Sequence, residues 1–207
     1  MKKLLILLYS FFLLSSPSVF ADDISDFQIE GISIGDSLLD YMTEDEILNK
    51  IDDAEIYYYL NEPNKFIEIY IKKDLSMYDN LSVFIKTESS NQYITNKNMK
   101  YAIQSIRGMI RYNEDFDSCI VKRNEIIEDL SQMFSDTEKT ESVYGSRLEP
   151  EPSGDSITDK VAFNFNSGAL IYLSCQDWEE TFRIEKNWSD TLNIVIKTKE
   201  IVSWFNN

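Results

Sequence analysis

The stretch Val161-Ala162-Phe163-Asn164-Phe165-Asn166-Ser167-Gly168-Ala169-Leu170-Ile171-Tyr172-Leu173 decides the fold class. Val161, Phe163 and Phe165 alternate with Ala162 and Asn164, the period of a strand with one buried face. Asn166-Ser167-Gly168 supplies turn chemistry, and Leu170 to Leu173 brings the chain back, so the stretch predicts an antiparallel hairpin. The same period recurs on both sides of it. Ile67, Ile69 and Ile71 alternate with Glu68 and Tyr70, Leu81, Val83 and Ile85 with Ser82, Phe84 and Lys86, and Leu192, Ile194 and Ile196 form a last run. Ile56 to Leu60 is aromatic and strand-like. Tyr101 to Tyr112 reads as a strand bent near Gly108, although its period also fits a helix.

Helical periods lie between these runs. From Ser118 to Phe134, Cys119, Ile126, Leu130 and Met133 share a face widened by Ile120, Ile127 and Phe134, with Asp117 or Ser118 as the cap. Thr43 followed by Glu46 is a capping box ahead of Ile47, Leu48 and Ile51, and Thr198 caps a terminal helix carrying Ile201, Val202, Trp204 and Phe205. Phe27-Gln28-Ile29-Glu30 reads as a short strand or extended lead-in, punctuated by Gly31 and Gly35. The order predicts an α+β fold: an antiparallel sheet of several strands, a packed central helix, and short N- and C-terminal helices in one domain over 22–207. Asp136 to Asp159, with Gly145, Pro150, Pro152 and Gly154, shows no period and reads as a long mobile loop.

The first residues read differently. Lys2 and Lys3 precede an unbroken apolar run from Leu4 to Leu14, too short for an ordinary span, and Val19-Phe20-Ala21 offers small residues for cleavage. Residues 1–21 therefore read as a secretory signal peptide, which places the protein in the periplasm or, by the same route, outside the cell. No later apolar run has the length of a membrane span, and no cysteine at the cleavage site suggests lipid anchoring. Removing the leader takes away two lysines and no acids, so the formal charge of −16 becomes about −18. A field of that sign disfavours nucleic acid and anionic headgroups as partners.

Cys119 and Cys175 are an even pair in an oxidising compartment and read as one disulfide, with two buried thiols as the alternative. No C-x-x-C string is present, which disfavours redox catalysis. The chain has no histidine. That removes the usual general base at neutral pH and the commonest metal ligand.

Two overlapping strings carry hydrolase chemistry. Gly31-Ile32-Ser33-Ile34-Gly35 fits G-x-S-x-G, and Gly35-Asp36-Ser37-Leu38 spells the nucleophile block of the GDSL hydrolases, which resembles this chain over four residues only. That family's D-x-x-H block has no histidine to fill it, and no S-x-x-K string begins at Ser33 or Ser37. The structural reading is that the glycines allow a turn and that Asp36 or Ser37 caps a helix. Asn113, Asp115 and Asp117 have the 1-3-5 spacing of a calcium loop, but Ser118 at position six and Asn124 at position twelve break it. Asp177, Glu179 and Glu180 beside Trp178 form a second acidic cluster without ligand spacing. Tyr57-Tyr58-Tyr59, Trp178, Trp188 and Trp204 could form a sugar or peptide platform, although core packing is their ordinary role.

Several longer strings resemble one family. They are Phe27 through Tyr41, Pro152-Ser153-Gly154, Cys175-Gln176-Asp177-Trp178, and Lys199-Glu200 ahead of Trp204. They resemble an uncharacterised family of small exported proteins from AT-rich marine alphaproteobacteria. The resemblance implies a periplasmic setting and a paired Cys119–Cys175, and it carries no activity. The expectation is a non-enzymatic envelope protein without cofactor or metal. Its partner would be an unidentified envelope protein or a small ligand, and a GDSL-like serine hydrolase is the alternative.

Overall fold

The computed structural model describes residues 24, 27–71, 74–87, 100–113, 115–145 and 153–206. The leader over 1–21 and residues 146–152 of the expected loop lie outside the described residues. The fold is α+β, with four α-helices, a two-stranded sheet and a seven-stranded antiparallel sheet among the described residues.

The chain opens with β1 (Gln28–Ile29) and β2 (Ile32–Ser33), paired across Glu30 and Gly31. Both turn residues take positive φ, 54° and 76°, which Gly31 adopts without Cβ strain. A 3₁₀ turn over Leu38–Asp40 follows, then α1 (Glu44–Asp52), whose Thr43–Glu46 capping box is formed in both directions. The large sheet comprises β3 (Phe66–Tyr70), β4 (Asn80–Lys86), β5 (Ile103–Arg111), β6 (Glu138–Gly145), β7 (Ile157–Asn164), β8 (Leu170–Asp177) and β9 (Thr191–Lys197). Its spatial order is β3-β4-β5-β9-β8-β7-β6. The predicted β7–β8 hairpin forms, with Val161 opposite Leu173 and Phe163 opposite Ile171. Three more helices complete the fold: α2 (Phe116–Met133), α3 (Glu180–Lys186) and α4 (Lys199–Phe205).

One face of the sheet carries the main core. Ile67, Ile69, Val83, Ile106, Leu173, Ile194 and Ile196 lie on it, beneath α2 and the N-terminal unit of Ile29, Ile32, Leu38 and Ile47. Helix α2 rests on β8 and β9, and the Cys119–Cys175 disulfide ties its first turn to β8 with Cα atoms 6.0 Å apart. Buried Arg123 on the same helix pairs with Asp159 of β7 at 2.5 Å. The opposite face has a smaller core at one end only, where Phe66, Phe84 and Leu60 pack with Ile201 and Trp204 of α4. The Trp204 indole donates to the Glu62 carbonyl at 2.7 Å.

Four expectations change. Residues 138–145, expected within a long loop, form edge strand β6 along the whole length of β7. Ile56 to Leu60 is a turn, in which Tyr57 packs between Trp204, Phe84 and Phe205 while Tyr58 and Tyr59 point outward. The cap of α2 is Asp115, which accepts from the Ser118 N–H, so the helix begins earlier than Asp117 or Ser118 would place it. The irregularity in β5 falls at Gln104, where the pairing jumps from Phe84–Ser105 to Ile85–Ile103. At Gly108 the ladder is unbroken on both sides, and the missing side chain makes room for the Tyr78 ring.

Candidate functional site

Strand alternation puts the neighbours of the core residues along each strand on the second face. On β5 these are Arg107, Met109 and Arg111, on β9 Thr191 and Asn193, on β8 Tyr172, Ser174 and Gln176, and on β7 Thr158 and Lys160. Between the α4 end and the α3 end this face is open, and these side chains floor a groove of about 650 Å³. Tyr70 from β3 and Tyr144 from β6, the two outermost strands, reach the same groove, so all seven strands line it and the sheet is concave on this side.

The α3 end has an aromatic wall. Trp178 and Trp188 meet edge to face at 4.7 Å, and Phe182 of α3 closes on Trp188 at 5.2 Å. Glu179 caps α3 by accepting from the N–H groups of Thr181 and Phe182, and the Trp178 N–H donates to Asp190. The Asp177 carboxyl is raised by burial and then by neighbouring Asp190. The second acidic cluster therefore builds this wall through capping and backbone contacts. Among the described residues, no three of Cys, Asp and Glu stand close enough to share a metal ion.

The floor is a polar network around Arg107. Its Nη2 lies 2.7 Å from Glu68 Oε1 and donates to the Tyr70 hydroxyl at 2.9 Å. Glu68 also accepts from Tyr57 at 2.8 Å and Ser82 at 2.6 Å, so its carboxylate is fully engaged. Thr158 donates to the Gln176 side-chain oxygen at 2.7 Å, and Asn193 donates to Thr191 at 3.0 Å. The Lys160 ammonium stands 4.3 Å from the centre of the Tyr172 ring, and that of Lys197 stands 5.6 Å from the same ring and 3.9 Å from the Phe205 ring. Among the described residues neither lysine has a carboxylate within ion-pair distance. Burial lowers the Lys160 amine, and burial followed by the repulsion of Lys160 and Arg107 brings Lys197 down to about 8. Burial pushes the Tyr172 hydroxyl up to about 12.

The hydrolase strings lie elsewhere, from the β1–β2 turn through β2 to the 3₁₀ turn ahead of α1. Ser37 is 3% exposed, donates to the Lys100 carbonyl at 2.7 Å and caps the 3₁₀ turn, leaving its hydroxyl no route to a substrate. Ser33 is buried in β2, where its N–H donates to Asp36. Of the aromatic candidates, the groove brings together Trp178 and Trp188, whereas Tyr57 and Trp204 belong to the α4 core. Sequence reasoning missed Arg107, Lys160, Tyr70, Tyr144, Tyr172, Gln176 and Asn193. Their signal is the composition of the non-core strand positions: rings, amides, hydroxyls and cations, with few acids.

No helix among the described residues is long and apolar enough to cross a membrane. No protein-family model matches this chain, and neither does any curated protein or solved structure.

Proposed function

We propose that this chain is an exported, non-enzymatic binding module of the cell envelope, periplasmic or fully secreted, whose concave sheet face holds a short saccharide. The groove carries the reading, through its combination of stacking rings with amide and hydroxyl donors. A pyranose offers apolar C–H faces to Trp188 and Tyr172 and hydroxyls to Gln176, Asn193 and Thr158. A peptide fits less well. Peptides gain affinity from main-chain hydrogen bonds at a sheet edge, but the groove floor is a sheet face whose backbone is spent in its own ladder. The paired Cys119–Cys175, the leader and the resemblance to exported alphaproteobacterial proteins support the envelope setting. The lack of histidine and the buried Ser37 weigh against the hydrolase alternative.

The test is a titration of tryptophan emission against a panel of neutral and acidic oligosaccharides. A binder changes the emission of Trp188, and Trp188→Ala weakens binding about tenfold while the sheet stays folded by far-UV circular dichroism. Unchanged affinity in Trp188→Ala, or no binder in the panel, rejects the reading.

A further inference from the structure

We infer that the saccharide held in this groove carries an oxyanion, a carboxylate or a sulfate ester, seated against Lys160 with Lys197 and Arg107 behind it; this rests on the groove being the binding site. Lysine is rarely buried without a partner, because removing an ammonium from water is costly unless an opposite charge receives it. Lys160 and Lys197 both sit over the Tyr172 ring, half-buried; among the described residues neither has a carboxylate within ion-pair distance, and Glu68, whose charge does reach Lys197, is already paired with Arg107. The quadrupole of one ring offsets only part of that cost. Arg107 adds a third positive charge, which Glu68 partly neutralises. Arg111 lines the groove as well, and Glu55 is the single acid in the lining.

This arrangement runs against the rest of the molecule. The chain carries 36 acids against 20 bases, yet cations outnumber acids in the groove. A ligand oxyanion placed there offsets the repulsion between Lys160 and Lys197 and favours the charged form of both amines. The surrounding acidity sets a limit. A long polyanion would project past the groove into a strongly negative surface, so the ligand is short and carries few charges.

Lys160 is the contact residue, whereas Lys197 and Arg107 act through the local field. The two kinds of role separate experimentally. Isothermal titration of the oxidised protein would use trisaccharides of galacturonic, glucuronic, mannuronic and guluronic acid. Each would be paired with its carboxyl methyl ester, alongside galactose trisaccharides with and without sulfate esters, and inorganic sulfate alone. We expect at least one acidic trisaccharide to bind ten times or more tightly than its uncharged counterpart. The uronate and sulfated arms identify which oxyanion is taken. Lys160→Met should lower acidic affinity about tenfold and Lys197→Met about threefold, in each case by more than it changes affinity for the matching uncharged sugar. Glu68→Gln, which keeps an accepting oxygen for one of Tyr57 and Ser82 while releasing the Arg107 charge, should raise acidic affinity severalfold, a gain that packing alone does not produce. Equal affinity for acid and ester overturns the inference and leaves the saccharide groove standing. Binding of inorganic sulfate only overturns it as an adventitious ion site. A panel with no binder overturns both.

Discussion

Reducing the Cys119–Cys175 bond isolates what the link between α2 and the sheet contributes, because the side chains stay the same. The cysteines are 56 residues apart, and closing a loop of that size lowers the entropy of the unfolded chain by an amount worth about 4 kcal/mol at 25 °C. For a chain of this length each kcal/mol moves Tm by about 2–4 °C, so the reduced protein should melt about 10 °C lower. The effect resides in the unfolded state, which gives it a second signature. In urea the reduced protein should show a lower midpoint and a slightly steeper slope, since its unfolded chain is less compact and exposes more surface. The assay is paired urea and thermal unfolding with and without dithiothreitol, with Cys119→Ala/Cys175→Ala as a second reduced reference. Both sulfurs are buried, so the double variant should fall a further ~1 kcal/mol below the reduced wild type from lost packing. Coincident melts of oxidised and reduced protein would refute the reasoning, as would a large midpoint shift whose slope falls.

Two further outcomes follow from packing and charge. A Cβ on residue 108 would lie 2.4 Å from Tyr78, so Gly108→Ala should destabilise by about 1–3 kcal/mol in urea, and Gly108→Ala/Tyr78→Ala should recover part of that loss. Lys197 titrates near 8 when folded and near 10.5 when unfolded, so between those values the unfolded chain binds the extra proton and stability rises with pH. Lys197→Met should flatten that rise over pH 8–10 in pH-dependent urea unfolding. Above about pH 10 raised tyrosines such as Tyr172 act in the opposite sense, because the unfolded chain then loses protons that the folded one keeps.

The parts of the fold legible in the sequence are those where one physical signal dominates. Period-two apolar runs at Ile67, Val83, Ile194 and Phe163 mark strands because one face of each meets a core. The Thr43–Glu46 and Thr198 caps are legible because capping is local to four residues. Strand β6 is not, since an edge strand open on its flanks needs no apolar alternation; Val143 is 69% exposed and Tyr144 48%. Ile56 to Leu60 misleads in the other direction. Its β-propensity is overridden because Tyr57 and Leu60 anchor it in the α4 core and no strand lies alongside. Helix α3 is only seven residues long and is set by Glu179 capping and the Trp178–Phe182–Trp188 cluster, contacts that span a chain reversal. The groove was hidden for a related reason. Each of its residues looks like an ordinary outward strand position, and only the curl of the sheet brings Tyr70 and Tyr144 from opposite edges into one cavity.

The composition of that face is itself an argument for a ligand. An antiparallel sheet can leave one face to water, and such a face ordinarily carries the charges that keep a protein soluble. In this chain those charges are overwhelmingly acidic, so an unoccupied face should be rich in Asp and Glu. The second face of the seven-stranded sheet instead presents Glu68 and Glu138 as its only strand acids. Glu68 is engaged by Tyr57, Ser82 and Arg107, and Glu138 lies at the far end of β6, away from the groove. The α3 and α4 ends are closed by aromatic clusters that could have extended across the face and buried it as a second core. They stop short, and the floor between them holds cations, amides, hydroxyls and tyrosine rings. Solubility does not require that set, and a hydrophobic core would exclude it. Binding of a small polar ligand accounts for both departures at once.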